Sequence, residues 1–112
     1  STVEAEREIL ESKLVLQDRL GSITEAFAYP NGQIEDMPMS AQTAVVSSGF
    51  SVAFSTLWST QNAPEHAMAI RRVMIDHDDT EKEFLAKVRG HYDFLLHWHQ
   101  RRARFQLLSP HA

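Results

Sequence analysis

Three short β-prone stretches among helical patterns constrain this chain more than any other feature of its sequence. The stretches 23–29, 50–56 and 69–75 are short and apolar; helix-like segments lie before the first, between the first two and after the third, and a polar loop at 57–68 joins the second to the third. Helices that alternate with single strands are typical of an α/β layer or of a piece of a barrel. The sequence therefore predicts an α/β fold with about three strands and four helices.

Capping residues mark where these helices begin. Ser1 with Glu4 and Thr80 with Glu83 have the spacing of capping boxes, in which side chain and backbone satisfy each other's free donors. Ser40 is a further candidate cap. The expected helices are 1–20, 41–48, 80–90 and 91–105.

The composition excludes several classes of function. The 112 residues are enough for one small domain. A net charge of −4 argues against nucleic acid as a partner, because nucleic acid requires a basic face. Without cysteine there is no disulfide, thiolate nucleophile or zinc–thiolate site. No apolar run approaches the roughly 18 residues of a membrane helix, so no membrane partner is expected either.

Four stretches, taken in order, resemble one known family. The family is the polysaccharide deacetylases, the NodB-homology group of carbohydrate esterases, and the resemblance is to its C-terminal half. It covers residues 1–89, and residues 90–112 are expected to form a helical tail. The stretches are Glu-Ile-Leu-Glu-Ser-Lys at 8–13 with Leu-Gly at 20–21, Phe-Ala-Tyr-Pro-Asn-Gly at 27–32, Gly-Phe-Ser-Val-Ala-Phe-Ser-Thr at 49–56, and Ala-Ile-Arg-Arg-Val at 69–73 followed by Phe84.

The resemblance implies a fold and a chemistry. The fold would be part of a distorted (β/α) barrel. The complete domain would remove acetyl groups from an N-acetylated glycan substrate. One Asp and two His would hold a divalent metal, zinc or similar, which makes water a usable nucleophile at neutral pH. A second Asp would act as base, and a backbone N–H would stabilise the oxyanion.

The chain departs from the family pattern in the segments that carry the metal. Neither Thr-Phe-Asp-Asp nor His-x-x-x-His occurs, and the only adjacent Asp pair, Asp78 and Asp79, follows the third strand. By the resemblance, the metal ligands and the base belong before Ser1. The third motif often carries an Arg, and Ala28 stands at that position. We therefore expect no metal site and no cofactor in this chain, which alone would be inactive.

Five residues carry the expected site. The resemblance makes the backbone N–H of Asn31 the oxyanion donor, with Tyr29 and Pro30 as substrate-binding neighbours. Arg72 matches a strand-borne Arg that would orient an active-site carboxylate through two parallel hydrogen bonds. His66, just before the third strand, is the best-placed candidate for the family's later catalytic His.

Other polar groups have structural alternatives. The run from Asp76 to Asp79 resembles an oxygen-rich cation loop, but acidic residues also favour the start of a helix. His97 and His99 point to different faces of a helix, which disfavours a zinc site. The serines lack the Gly-x-Ser-x-Gly setting of a nucleophile. The Asn-Gly pair at 31–32 is equally a common turn.

Two functions remain open on sequence grounds. The chain is either part of a metal-dependent carbohydrate N-deacetylase, or a non-catalytic binding or structural module that pairs with another chain or with itself. Half a barrel would leave strand edges at 23–29 and 69–75 unpaired. A homo-oligomer, or contact with the missing N-terminal half, is therefore expected. The apolar face for that contact would include Phe27, Val52, Phe54 and Val73, and Tyr92, Trp98 and Phe105 are candidates to cover part of it.

Overall fold

The computed structural model describes residues 2–98 and 100–101. The described part of the chain has three α-helices and three strands, with short 3-10 helices at Ile34–Asp36 and at Pro64–His66, the latter between the second and third strands. Residues 95–98 are also helical. The elements are α1 (Thr2–Leu20), β1 (Ala26–Ala28), α2 (Met39–Ser47), β2 (Val52–Trp58), β3 (Ile70–Arg72) and α3 (Glu81–Val88).

The three strands form one open parallel sheet. β2 lies in the centre and is paired with β1 on one side and β3 on the other. Parallel neighbours require a crossover connection, and α2 provides the one between β1 and β2. This confirms the predicted α/β class with three strands in a sheet that does not close.

The sheet has a covered face and a less covered face, and the side chains of the central strand point alternately to the two. Burial alternates along β2, as the two-residue period of a strand requires. The side chains on the covered face are buried: Ala53, Ser55 and Leu57. Those on the other face are half-buried: Val52, Phe54, Thr56 and Trp58.

The core lies on the covered face. Its buried residues come from β2, α2, the loops and the chain beyond α3, and Phe27 of β1 and Ile9 of α1 pack against it. Val45 of α2 is fully buried, because α2 lies between α1 and the sheet cluster. The buried members of the cluster are Tyr29, Met37, Val45, Phe50, Ala53, Leu57 and Leu96.

A buried lysine ties α1 to the end of α2. The Nζ of Lys13 donates hydrogen bonds to the carbonyls of Ser48 at 3.1 Å and Gly49 at 2.8 Å. It also lies 5.1 Å from the centre of the Phe50 ring. The last carbonyls of a helix have no partner within it and carry the negative end of its dipole, so a cation there is stabilising. Lys13 thus performs a packing role that its residue type alone does not suggest.

The chain just beyond α3 packs on the same core. The carboxylate of Asp93 accepts hydrogen bonds from the backbone N–H of Thr60 at 3.0 Å and from its hydroxyl at 2.6 Å. Gly90 turns the chain with φ +85°, and Leu96 is buried. Residues 90–96 therefore pack against the rest of the fold. In the predicted division of the chain they lie in the tail, which begins after residue 89.

The outer strands are shorter than the sequence predicted. Residues 23–25 precede the first pairing of β1, Ala26 with Val52, and are not part of the strand, although the carbonyl of Glu25 accepts from the N–H groups of Ser51 and Val52. β3 likewise ends at Arg72, opposite the last residue of β2. α2 begins at Met39 after Pro38, one residue before the predicted cap, Ser40. Among the described helices, none combines the length and apolar character that a membrane span requires.

The prediction for Phe27 was wrong about its side of the sheet. Phe27 pairs with Ala53 and therefore points to the covered face. Its ring lies 5.4 Å from that of Tyr29 and 5.3 Å from that of Phe50. Val52 and Phe54 lie on either side of Ala53 along β2, so their side chains point to the less covered face.

A tight turn follows β1 and lies against β2. Asn31 and Gly32 both have positive φ, 61° and 67°, as an Asn-Gly turn favours. The N–H of Thr56 donates to the carbonyl of Gly32 at 2.8 Å. A Cβ added at Gly32 would lie 2.7 Å from that same nitrogen. Only glycine fits there without moving backbone.

We expect Gly32→Ala to destabilise the fold more than Gly21→Ala. Both positions have positive φ, but a Cβ at Gly21 meets no atom within 4 Å. Both variants should lose about 1–2 kcal/mol to left-handed strain, and Gly32→Ala about 1–3 kcal/mol more from the clash. Urea unfolding measures the difference. Equal losses in the two variants would contradict the close approach of the turn to β2.

Candidate functional site

A pocket of about 360 Å³ lies at the carboxyl ends of β2 and β3. Ligand sites in parallel α/β sheets lie at this edge, where the loops after the strands converge. The lining is mostly apolar, with one cation and two neutral polar side chains. The lining residues are Gln33, Thr56, Trp58, Arg72, Val73 and Met74.

A strand irregularity positions Arg72 in this pocket. β2 pairs with β3 at Phe54–Ile70 and again at Trp58–Arg72, so β2 contains extra residues between the two pairings. The Nε of Arg72 donates to the carbonyl of Ser55 at 2.7 Å. That bond fixes one side of the guanidinium, and its two terminal nitrogens have no acceptor among the described residues. The predicted site residue Arg72 therefore lies in the pocket with a free donor pair.

Ser55 holds the irregular segment together. Its hydroxyl donates to the carbonyl of Ile70 at 2.9 Å and accepts from the N–H of Leu57 at 3.2 Å. The residue is fully buried. A hydroxyl that is enclosed and engaged in this way serves the fold, so Ser55 has no free nucleophile to offer. The only signal for this role in the sequence is a polar residue inside an apolar strand.

The predicted oxyanion turn borders the same pocket. The hydroxyl of Thr56 donates to the carbonyl of Asn31 at 2.6 Å and accepts from the side-chain amide of Gln33 at 2.7 Å. Asn31 and Pro30 are exposed. The backbone N–H of Asn31 has no acceptor among the described residues. Two of the predicted residues, Asn31 and Arg72, are thus brought to one edge of the sheet through Thr56 and Ser55.

Tyr29 is placed in the core. Its side chain shares the covered face with Phe27, and its hydroxyl donates to the carbonyl of Met68 at 2.8 Å. Burial raises the pKa of this phenol above its ordinary value. The hydroxyl of Tyr29 is therefore engaged within the core, and Tyr29 does not line the pocket.

His66 is at the other end of the sheet. It ends a 3-10 helix, and its Nδ1 accepts from the N–H of Ala63 at 2.9 Å. The next residue, Ala67, accepts at its carbonyl from the N–H of Ala53, near the beginning of β2. Arg72 pairs with the last residue of β2, Trp58. The structure therefore separates His66 from the pocket by most of the length of the central strand.

Trp58 closes the inner end of the pocket. Its ring lies 6.2 Å from that of Tyr92 and 5.6 Å from the Nζ of Lys87. Its Nε1 is enclosed and has no hydrogen-bond partner among the described residues, which is a costly state for a buried donor. Tyr92, one of the residues expected to cover the apolar face, thus contacts Trp58 on the less covered face. Trp98 is exposed, and Phe105 lies outside the described residues.

The pocket does not suit a metal ion. Its polar side chains are a guanidinium, a carboxamide and a hydroxyl. The charge of the guanidinium repels a cation, and the described lining offers no carboxylate, imidazole or thiolate ligand. Among residues 2–98 and 100–101, no group of three His, Asp or Glu side chains comes together as a metal site. His91 and His97 are exposed, and His99 lies outside the described residues.

A larger depression of about 610 Å³ lies along α3, away from the residues described above. Its lining includes Lys82, Arg89 and His91, with the apolar Leu85 at its base. The depression is a shallow open groove, so it offers no enclosed site for chemistry.

The acidic run before α3 builds the start of that helix. Asp79 accepts from the N–H of Asp76 at 2.8 Å and from the Nζ of Lys87 at 2.7 Å. The hydroxyl of Thr80 accepts from the N–H of Glu83, which confirms the predicted cap. The Asp79 side chain is only 8% exposed. These contacts favour the capping interpretation of the run over a cation loop.

The Asp79–Lys87 pair makes stability depend on pH. The hydrogen bond from Lys87, and then that from the Asp76 N–H, lower the pKa of the Asp79 carboxyl. A lowered folded-state pKa adds stability above the unfolded value of about 3.9, and that stability is lost as pH falls through the folded pKa.

We expect Asp79→Asn to reduce the free energy of unfolding at pH 7 and to flatten its fall in the acid range. Asp78→Asn is the matched control, because the Asp78 side chain is 85% exposed and pairs with the equally exposed His77. Urea titrations from pH 7 down to about pH 3 test both. If the two variants share one pH profile, the ion pair does not stabilise the fold.

Comparison with known proteins returned no match: no family model, no curated protein and no solved structure is similar to this chain at a significant level.

Proposed function

We propose that this chain supplies one wall of a carbohydrate N-deacetylase site, the wall that binds the oxyanion and orients the base. The observation that supports this most directly is the pairing of two free donors at one sheet edge. The N–H of Asn31 and the terminal nitrogens of Arg72 are linked through Thr56 and Ser55 and lack acceptors among the described residues.

The turn is suited to an oxyanion because its geometry is fixed in advance. Pro30 restricts φ on one side, and the Gly32 backbone is held against Thr56 on the other. An N–H held rigidly between them costs no reorganisation when charge develops on an attacked amide carbonyl. The role needs a backbone donor and no particular side chain at position 31.

Arg72 is suited to orienting a carboxylate. A guanidinium that is held at Nε presents its other two nitrogens as a fork, which matches the two oxygens of a carboxylate. Among the described residues, no carboxylate lines the pocket. In the proposed enzyme this carboxylate is the catalytic base, and it comes with the metal ligands from residues outside this chain.

The second candidate function is a non-catalytic module that pairs with another chain or itself. The half-buried aromatic and aliphatic residues on the less covered face of the sheet favour this second function. The two functions differ in one simple observation. The coding sequence upstream of Ser1 should encode Thr-Phe-Asp-Asp and His-x-x-x-His if the deacetylase proposal is correct. An upstream sequence without them leaves the module as the better account.

We expect Arg72→Ala, made in the polypeptide that joins this chain to those motifs, to lower kcat more than it raises KM. An orienting residue acts on the chemical step, so the loss falls on kcat, by roughly 100-fold. Acetate release from N-acetylglucosamine oligomers is the assay. Arg71→Ala is the matched control, because Arg71 belongs to the same strand but bonds to Gln61 and Asn62 outside the pocket. Unchanged kinetics in Arg72→Ala would contradict the role.

The 112-residue chain alone should release no acetate above the blank from the same oligomers. Its described residues bring no metal ligands together, and the turn alone cannot make water nucleophilic. Acetate release that survives further purification and disappears with a chelator would show that the chain holds a complete site.

A further inference from the structure

We infer that the pocket at the carboxyl ends of β2 and β3 binds a free small molecule. This ligand is an organic acid whose carboxylate contacts Arg72 and whose apolar body lies against Trp58 and Met74, and the 112-residue chain binds it alone. The inference does not rest on deacetylase chemistry, although it uses the guanidinium to which the proposed function assigns the base.

Arg72 provides the charge that attracts the acid. Among the described lining residues it is the one that carries a charge. Its Nε is bonded to the Ser55 carbonyl at 2.7 Å, so one side of the guanidinium is fixed. The two terminal nitrogens are thereby presented as a fork, with less of the ordering cost that a mobile side chain incurs on binding. A carboxylate matches that fork with two parallel hydrogen bonds.

Two carboxylates come near the lining, and both have other partners. That of Asp36 accepts from the N–H of Gln33 at 3.0 Å. That of Asp79 is paired at 2.7 Å with Lys87, whose Nζ lies 5.6 Å from the centre of the Trp58 ring. Neither is bonded to Arg72. The charge of the guanidinium is therefore not compensated within the described part of the chain, which favours an anionic ligand over a neutral one.

The remaining lining favours an apolar body on the acid. Trp58 and Val73 are half-buried and provide a fixed apolar surface. Met74 is 64% exposed, and its flexible thioether side chain can adapt to the molecule that it covers. Small-molecule sites are typically built from apolar surface with a few polar groups that fix the ligand's orientation. The fork and this surface together select a molecule with one charged end and one apolar end.

The volume of the pocket, about 360 Å³, limits the size of that molecule. It lies at the lower end of the range for small-molecule sites, roughly 300 to 1,000 Å³. An acid whose body is a single ring therefore suits the pocket, whereas acetate leaves most of it unfilled. Because acetate has the charge and almost no apolar surface, its affinity measures the contribution of the fork alone.

The fluorescence of Trp58 reports on this pocket. The chain has two tryptophans, and Trp98 is 67% exposed, so Trp98→Phe leaves Trp58 as the one indole. We expect cyclohexanecarboxylate, which does not absorb where indole does, to change the emission of this variant saturably with a Kd of about 1 mM or below. Cyclohexanecarboxamide has the same shape without the charge, and acetate has the charge without the ring. Each should bind about 10-fold more weakly, or weaker still.

Two arginine variants, made in the same Trp98→Phe chain, locate the site. Arg72→Gln should weaken binding of the ring acid by about 10-fold or more. Arg71→Gln is the matched control and should bind normally, because Arg71 bonds to Gln61 and Asn62 outside the pocket. Circular dichroism checks that both variants are folded. If Arg72→Gln does not fold, the comparison of the acid with the amide and acetate in the unaltered pocket decides alone.

Four results would overturn the inference. One is the absence of a saturable change up to the solubility limit of the acid. Another is equal binding of the acid and the amide, which leaves apolar contact as the only force. The third is acetate binding as tightly as the ring acid, and the fourth is unchanged affinity in folded Arg72→Gln. The proposed enzyme is tested separately, by the upstream coding sequence and by acetate release, so failure of one idea is distinguishable from failure of the other.

Discussion

The structure depends on β2, the one described strand that is hydrogen-bonded on both edges. β1 and β3 have three residues each and contact the sheet only through it. The turn at Gly32, the bond that holds Arg72 and the packing of Phe50 all end on β2 or on residues next to it. Short strands give little stability of their own, so anything that displaces β2 removes the sheet and the pocket together.

The sequence predicted the parts of the fold whose signals are local. Hydrophobic runs gave the three strands, and Thr80 with Glu83 gave the start of α3. The misses come from long-range contacts. The side of the sheet chosen for Phe27 depended on a register that only the pairing with Ala53 fixes. The bonds between Asp93 and Thr60, 33 residues apart, likewise have no local signal in the sequence.

The sequence analysis named two residues that the structure brings to one sheet edge, but not the residues that hold them in place. The turn at 30–32 and Arg72 were found by resemblance, and the structure brings them to one edge. The residues that hold them there, Ser55 and Thr56, were missed. No sequence pattern shows whether a hydroxyl inside an apolar strand makes structural hydrogen bonds or acts as a nucleophile. His66 was placed by sequence distance from β3, which does not say at which end of the sheet it lies.

The enclosure of Lys13 makes its amine a reporter of helix opening. The chain has three lysines, Lys13, Lys82 and Lys87. Lys82 is exposed, whereas Lys87 is paired with Asp79 and Lys13 is enclosed by the carbonyls of Ser48 and Gly49. Amine-reactive labels need an accessible, unbonded amine, so Lys82 takes up label first. Label reaches Lys13 only when α1 leaves the end of α2, and the rate of its modification therefore measures how often that helix detaches.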